Sequence, residues 1–323
     1  MAKTPHAIDR VLSLALQPWA LTPPMMRTIA GILGHRLAGE RLDTSALEVR
    51  PPAAAATAAG VAVIPIHGVI APRITALDDI SGGASFEQAG LALAEAMARP
   101  DVGTIVLDFD SPGGSVLGAR EFAHQVLAAR TKKRILAQAN YEMCSAAYWV
   151  GSCASEIIAA PSAMVGSLGV YTIHEDLSVM LQQLGVQLTY IYAGKFKVDG
   201  NEAEPLSASA RDRLQALVDA KYAFFMADVA AGRGVTEEQV RAGFGQGSVV
   251  TADEALALRM IDSIGTLDDT MARVLPDRAP APALAARPMP AVLATPQEPA
   301  KATGQERARQ QRDVAEALMA LGF

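Results

Sequence analysis

The chain has few of the residues that build disulfide frameworks or metal centres. Its 323 residues include only two cysteines, Cys144 and Cys153, and five histidines that are scattered without an HExxH pattern. The segment holding both cysteines predicts a helix, in which nine residues rise roughly 13 Å, whereas a disulfide needs Cα atoms within about 7 Å. We therefore expect two small buried thiols, no disulfide, no metal site and no cofactor.

The chain also lacks a long apolar run and an excess of positive charge. The stretch from Leu12 to Leu33 is interrupted by prolines and by Arg27, and no clean apolar window of about 18 residues occurs. The net charge is −6 at pH 7, which argues against nucleic acid or an anionic membrane as the main partner. We expect neither a signal peptide nor a membrane span, and hence a cytoplasmic protein.

Half of the residues are hydrophobic, so the chain can bury a sizeable core. Its composition predicts a helical N-terminal arm at 1–50, an Ala-rich linker at 51–60 and one α/β domain at 61–275. A Pro/Ala-rich flexible linker follows at 276–305. The last segment, 306–323, has helical spacing, and both a short docking helix and a frayed tail are compatible with it.

Within the domain, periods typical of strands and helices alternate. Strands are predicted at Val61–His67, Thr104–Phe109, Ile135–Ala139, Glu156–Ala159, Gln187–Tyr192 and Ile261–Ile264. Helices are predicted at Phe86–Ala98, Val116–Ala129, Ser145–Cys153, Leu177–Leu184, Ser207–Ala231, Glu237–Ala242 and Asp253–Leu258. Strands that alternate with helices of this length predict parallel βαβ units and an α/β fold.

One candidate functional segment is the turn Ser111-Pro112-Gly113-Gly114, between a buried strand and a helix. Paired glycines allow unusual backbone angles and a close approach to a ligand. Backbone amides at such a turn are suited to holding an oxyanion. An ordinary βα turn would have the same composition.

A second segment places Ser145 among small residues where a strand gives way to a helix. Small neighbours leave room for a substrate backbone, and the start of a helix favours negative charge beside the hydroxyl. A serine at this position is also a common N-cap. The sequence alone leaves both interpretations open.

The third segment is the loop 193–201, which contains Lys195 and Lys197 between glycines and apolar residues. A lysine acts as a base when burial lowers its pKa towards neutrality; the alternative is a solvated surface loop. No G-x-S-x-G motif occurs in the chain, and His67 lies in an apolar strand where a core position is expected. A Ser–Lys pair is the remaining combination of nucleophile and base.

Taken together and in order, these segments resemble the signal peptide peptidase A (SppA) family of serine peptidases, and in particular the lambda-type phage capsid (prohead) proteases. The resemblance also includes the strand ending in Ile66-His67-Gly68-Val69-Ile70 and the stretch Val165-Gly166-Ser167-Leu168-Gly169-Val170. It covers about residues 60–275. It implies a ClpP/crotonase-like α/β fold of repeated ββα and βαβ units.

The resemblance implies a role for each matching residue. Ser145 would be the nucleophile and Lys197 the general base, since the family's base follows the aromatic or similar residue, which places Lys195 second. Ser167 would orient the lysine.

The oxyanion hole would be formed by the backbone N–H of Gly114 or Gly113 together with that of Ala146. Many family members have glycine immediately after the nucleophile, where this chain has Ala146. The change keeps the backbone donor but alters the shape of the pocket.

The resemblance also implies partners. A phage or prophage head-maturation protease would cleave scaffold, portal or coat proteins in an assembling procapsid, as a homo-oligomer with active sites near subunit interfaces. The first alternative is a cellular peptidase that degrades signal peptides or other peptides. A crotonase-type acyl-CoA enzyme and an inactive capsid or scaffold component are the other two hypotheses.

Overall fold

The computed structural model describes residues 18–28, 56–73 and 83–275. The linker predicted at 276–305, the helix predicted at 306–323 and most of the arm predicted at 1–50 lie outside these residues.

The strands of the described residues are β1 (Trp19–Leu21), β2 (Ala56–Ala58), β3 (Val61–His67), β4 (Ile70–Ala71), β5 (Ala84–Ser85), β6 (Thr104–Ser111), β7 (Gly113–Ser115), β8 (Arg134–Cys144), β9 (Glu156–Ala159), β10 (Met164–Gly166), β11 (Val249–Thr251) and β12 (Ser263–Ile264). The helices that follow β5 are α1 (Phe86–Ala98), α2 (Ala119–Ala129), α3 (Ala146–Gly151), α4 (Ser178–Gln183), α5 (Ala208–Arg233), α6 (Glu237–Gly243), α7 (Ala252–Ala257) and α8 (Leu267–Val274). Residues 23–28 are also helical.

Two sheets organise these strands. The larger sheet has the order β11-β10-β8-β6-β3-β2, and β9 joins β8 to β12. Its central strands β3, β6, β8, β9 and β10 pair in parallel. A smaller sheet has the order β1-β7-β4-β5. The parallel centre with helices between the strands confirms the prediction of an α/β fold.

The larger sheet is buried on both faces. On one face, β3, β6 and β8 pack with α1, α2, α3 and part of α5 in the main core. On the other face, a smaller apolar cluster formed by Val61, Val106, Leu136 and Ile158 lies beneath α8. Burial on both faces explains why these strands appear in the sequence as continuous apolar runs.

Short side-chain caps set the helix boundaries. Ser207 Oγ accepts a hydrogen bond from the Ala210 N–H at the start of α5, as the sequence predicted, and α5 ends where Gly234 adopts φ 66°. The Thr236–Gln239 pair forms a capping box at the start of α6. Each of these caps satisfies backbone groups that a helix end leaves unpaired.

Three local predictions were wrong. Trp19–Leu21 is a strand rather than part of a helical arm, because it pairs with β7. Ala56–Ala58, predicted as linker, forms a hairpin with β3. Gln187–Tyr192 has no regular secondary structure and is exposed, so its content of β-branched and aromatic residues does not reflect pairing within this chain.

Candidate active site

Ser145 lies at a sharp turn between β8, which ends at Cys144, and α3, which begins at Ala146. Its backbone angles are φ 55° and ψ −117°, a region that residues with a side chain seldom adopt. The Ser145 N–H donates to the Gly166 carbonyl at 2.7 Å, and its carbonyl accepts from the Trp149 N–H at 2.9 Å. Strained residues of this kind are concentrated at functional sites.

The Ser145 side chain is buried and unpaired. The residue is 1% exposed, and among the described residues its Oγ has no hydrogen-bond partner. It makes no side-chain cap to α3, although it occupies the N-cap position. The alternative interpretation of Ser145 as a structural N-cap is therefore wrong. A buried hydroxyl without a partner is costly and calls for a functional explanation.

The glycine turn lies directly against this serine. A Cβ on Gly113, which has φ 102°, would overlap the Ala20 carbonyl oxygen and lie 2.9 Å from Ser145 Cβ. A Cβ on Gly114 would lie less than 3.0 Å from three backbone atoms of Ile70. Both positions are therefore restricted to glycine by close backbone contacts.

Hydrogen bonding separates the two glycines as candidate oxyanion donors. The Gly113 N–H donates to Ser111 Oγ at 3.2 Å, and Ser111 Oγ in turn donates to the Gly68 carbonyl at 2.6 Å. Gly113 is therefore engaged in holding the turn, which favours Gly114 as the donor. Ala146 is the first residue of α3, where a backbone N–H has no partner within the helix.

Ser111 was not singled out from the sequence. It lies just after an irregularity in the pairing of β6 with β8, a feature common next to active sites.

Ser167 is a neighbour of Ser145. It follows β10, which pairs in parallel with the end of β8 so that Gly166 faces Cys144. Ser167 is buried and also has a left-handed backbone, with φ 56°. Its N–H donates to the Ser248 carbonyl at 2.7 Å. The structure therefore brings Ser167 close to Ser145.

Lys197 is not joined to this group within one chain. It is exposed in the loop after residue 193, where its backbone N–H donates to the Gly194 carbonyl at 3.0 Å. In the described residues no hydrogen bond links it to Ser145, whose Oγ is unpaired. Lys195 contacts the Phe196 ring instead, with Nζ 4.9 Å from the ring centroid.

The cysteines near the site are inert. Cys144 and Cys153 are both buried, as predicted. Burial raises the pKa of each thiol to about 12. Since the thiolate is the reactive form, neither cysteine competes with Ser145 as a nucleophile at neutral pH.

A buried carboxylate holds the helix that follows Ser145. Asp228 of α5 is 6% exposed and accepts from Trp149 Nε1 at 2.9 Å. Arg120 Nε lies 3.4 Å from the same oxygen, and the second oxygen of Asp228 lies 2.9 Å from His124 Nε2. Trp149 also stacks on Phe225 of α5, with ring centroids 4.5 Å apart. Nothing in the local sequence pattern identified Asp228, because its partners are distant in the chain.

Replacing Asp228 with alanine should lower the free energy of unfolding by about 1–3 kcal/mol, because the buried Trp149 N–H loses its acceptor. Asp228→Asn keeps an acceptor oxygen and should cost less. Urea denaturation of the two variants measures the difference. Equal stability of Asp228→Ala and wild type would show that Asp228 does not hold α3.

His67 belongs to a polar cluster at the ends of β3, β6 and β8 and is half-exposed, not a core residue as expected. Its Nε2 lies 3.1 Å from Asp108 Oδ2, and Asn140 also donates to Asp108. Burial raises the pKa of Asp110 nearby, an effect opposed by His67. Burial and the charge of Asp110 raise the pKa of Glu142.

These raised carboxyl pKa values predict a pH dependence of stability. The folded state holds the Glu142 proton more tightly than the unfolded state. The stability that protonated Glu142 contributes is therefore lost as pH rises through the raised pKa. Glu142→Gln should therefore melt at a higher temperature than wild type at pH 8, and the difference should vanish as pH falls to the ordinary carboxyl range. Glu95→Gln, on the exposed side of α1, is the control. A constant difference at every pH would contradict this prediction.

Comparison with known proteins shows similarity to peptidases. Residues 128–278, which include Ser145, Ser167 and Lys197, match the model of Peptidase family S49. The chain is 35% identical over 181 residues to the head-tail preconnector protein GP5 of Enterobacteria phage P21, a match that covers 56% of this chain and 36% of that protein. It is 33% identical over 212 residues to the capsid assembly protease C of Escherichia phage lambda, covering 66% of this chain and 48% of that protein.

A cellular protein is also similar: Protease 4 of Salmonella typhi is 29% identical over 218 residues, with 67% of this chain and 34% of that protein covered. The chain thus spans between a third and a half of the length of these relatives. Within the part of the chain that the structure describes, no helix is long and apolar enough to cross a membrane. Residues 128–278 thus match a Peptidase family S49 domain, and proteins named as proteases are among the relatives of this chain.

Proposed function

We propose that the chain is a serine endopeptidase in which Ser145 is the nucleophile and Lys197 the general base. The observation that carries the proposal is the buried, unpaired Ser145 hydroxyl on a strained turn against Gly113. An activated serine needs a base that accepts its proton, and the absent partner of Ser145 Oγ is the place for that base. Similarity to Peptidase family S49 supports the same chemistry.

In the proposed mechanism, neutral Lys197 accepts the Ser145 proton as the serine oxygen attacks a peptide carbonyl. The N–H groups of Gly114 and Ala146 stabilise the oxyanion. The lysine then gives its proton to the leaving amine, and water hydrolyses the acyl-enzyme. Ser167, which follows β10 close to Ser145, would hold the amine of the incoming lysine.

We further propose that a second copy of the chain supplies Lys197. The segment that leads to this lysine carries an unusual amount of uncovered apolar surface, and Ile191 is 98% exposed. The exposed large apolar side chains of the segment are Ile173, Val179, Met180, Leu184, Val186, Leu188, Tyr190, Ile191, Tyr192 and Phe196. A patch of this kind is typical of a protein interface. Its burial in a homo-oligomer would carry Lys197 out of solvent, which favours the neutral amine that a base requires.

The proposed substrates are proteins of an assembling phage capsid, such as scaffold, portal or coat proteins. The names of the P21 and lambda relatives, at 35% and 33% identity, support this choice. The second candidate is a cellular peptidase of the Protease 4 kind, supported by the relative at 29% identity. The two candidates are distinguished by measuring the cleavage of purified procapsid proteins and of free signal peptides under the same conditions.

A complementation experiment tests the shared dyad. Ser145→Ala and Lys197→Ala are each expected to leave a peptide substrate uncut. When the two proteins are unfolded and reassembled together, activity should return, because some interfaces unite an intact Ser145 with an intact Lys197. A second mixture, reassembled from Ser145→Ala and Lys195→Ala chains, is the control. It is expected to show more activity than the first mixture, since Lys197 is intact in every chain. Failure of the first mixture to recover, in mixed oligomers confirmed by mass, would show that both residues come from one chain.

A further inference from the structure

The strand β1 lies in a groove beside Ser145 and is paired along both edges. On one side it is antiparallel to β7, the strand of the glycine turn, with Ala20 opposite Gly114. On the other side Trp19 exchanges two hydrogen bonds with Tyr171, at 2.8 and 3.0 Å. An extended segment held between two strand edges is how proteins bind peptides by strand addition.

The pairing places the Ala20 carbonyl at the proposed oxyanion donor. The Val116 N–H donates to the Pro18 carbonyl at 3.3 Å, and the Thr22 N–H donates to the Pro112 carbonyl at 3.0 Å. Hydrogen-bonded pairs alternate along an antiparallel ladder, so the pair between these two is also hydrogen-bonded. The Gly114 N–H is therefore directed at the carbonyl oxygen of Ala20.

The same carbonyl is close to the nucleophile. The Ala20 oxygen and Ser145 Cβ both lie within 3.0 Å of the point where Gly113 would carry a Cβ. Ala20 is fully buried, and Ser145 is 1% exposed. No added peptide can reach the serine while β1 occupies this groove.

The two faces of β1 show what the groove accepts. Ala20 joins the main core, in a space that holds a methyl group. Trp19 and Leu21 lie in a separate cluster with Met26, against which Val69 and Tyr171 pack. The residue whose carbonyl faces Gly114 is therefore restricted to a small side chain, whereas its neighbours are large.

We propose that residues 18–21 are the peptidase's own first substrate, bound with Ala20 before the scissile bond, and that they keep the groove closed until the bond between Ala20 and Leu21 is cut. The inference rests on the proposed function and adds the substrate class: extended peptides with an alanine-sized residue before the cleaved bond. Cleavage requires Lys197, so it follows assembly of the site.

The reaction balances as an ordinary peptide hydrolysis. Ser145 Oγ attacks the Ala20 carbonyl carbon and its proton passes to Lys197. The C–N bond to Leu21 breaks, the leaving nitrogen takes that proton, and residues up to Ala20 remain esterified to Ser145. Water then hydrolyses the ester, which gives a carboxylate on Ala20 and restores the serine.

The first test is the mass and N-terminal sequence of the assembled full chain. We expect a product that begins at Leu21 in wild type and none in Ser145→Ala. The second test uses a synthetic peptide with the sequence of residues 13–28. The wild-type protein should cut it between Ala20 and Leu21, and should leave a matched peptide with tryptophan in place of Ala20 intact.

A separate measurement, the rate of labelling of Ser145, tests whether β1 closes the groove. Trp19→Ala removes a large buried side chain that anchors β1, and should raise the rate of fluorophosphonate labelling at Ser145 by about tenfold or more, since the open fraction limits the apparent reactivity. Leu91→Ala, exposed on α1, is the control and should label like wild type. A permanent structural strand would instead leave the rate unchanged or lower it.

The outcomes separate this inference from the proposed function. If Ser145 is labelled and unrelated peptides are cut, but neither the chain nor the peptide is cut after Ala20 and Trp19→Ala labels like wild type, the inference is wrong and the peptidase stands. If Ser145 is labelled in no variant of a folded, assembled sample, the proposed function fails and the inference fails with it.

Discussion

Ser145→Ala should lower the rate of peptide cleavage by at least about a thousandfold, because Ser145 is the residue proposed to form the acyl-enzyme. The fold should be retained, since the Ser145 hydroxyl makes no hydrogen bond to residues 18–28, 56–73 or 83–275 that the substitution would break. Removal of an unpaired buried hydroxyl should even raise stability slightly. Cleavage is measured with an internally quenched peptide, and stability by thermal melting.

The matched control for this variant is Ser152→Ala. Ser152 is also buried, and lies just beyond α3, where its Oγ donates to the Trp149 carbonyl at 2.8 Å. This variant should lose up to about 1 kcal/mol of stability and keep its activity. Full activity in Ser145→Ala would remove Ser145 from the chemistry.

Lys197→Ala should match the loss in Ser145→Ala, whereas Lys195→Ala should stay within a few-fold of wild type. A general base that activates the nucleophile acts as a unit with it, so the two losses are of similar size. The same peptide assay measures both. The reverse pattern would assign the base to Lys195.

Gly114→Ala should abolish activity and lower the free energy of unfolding by at least about 3 kcal/mol, at the upper end of overpacking effects. The reason is geometric: the new Cβ would lie within 3.0 Å of the backbone O, N and C atoms of Ile70. Backbone held in β4 and β7 cannot move aside as a flexible side chain can. Any shift would also displace the N–H proposed to bind the oxyanion.

Gly103→Ala is the control for the glycine prediction. A Cβ at Gly103 has no atom within 4 Å, so stability should change by less than about 0.5 kcal/mol, as for other unencumbered surface sites. Cleavage assays and urea titrations of both variants provide the comparison. A stable and active Gly114→Ala would contradict the assignment of the oxyanion turn.

The parallel core of the fold could be predicted because its sequence pattern and its burial agree. The strands Val61–His67 and Glu156–Ala159 have the predicted boundaries, since strands buried on both faces are continuous apolar runs. The helix Phe86–Ala98 also has its predicted boundaries, with Ser85 as its N-cap. β1 and β2 could not be predicted in the same way. Each has only three residues, and each is a strand because of the partner that it meets.

The incorrect strand at Gln187–Tyr192 has an informative cause. It is rich in β-branched and aromatic residues, which favours a strand, but in a single chain the segment is exposed. The pattern is explained if the missing cover is another copy of the protein, as proposed above.

The site was only partly visible in the sequence. Ser145, Ser167 and the paired glycines could be selected by residue type and order, and the structure brings them together. The left-handed backbone angles at residues 145 and 167 depend on contacts between distant segments. The role of Ser111 and the support from Asp228 depend on such contacts too. No local pattern reports such contacts.

The most direct test of the Ser–Lys dyad is labelling of the assembled protein with a fluorophosphonate probe, with the modified peptide mapped by mass spectrometry. The dyad predicts a single adduct on Ser145 that is absent in Ser145→Ala, strongly reduced in Lys197→Ala and retained in Lys195→Ala. An adduct on another residue, or undiminished labelling of Ser145 without Lys197, would contradict the Ser–Lys dyad.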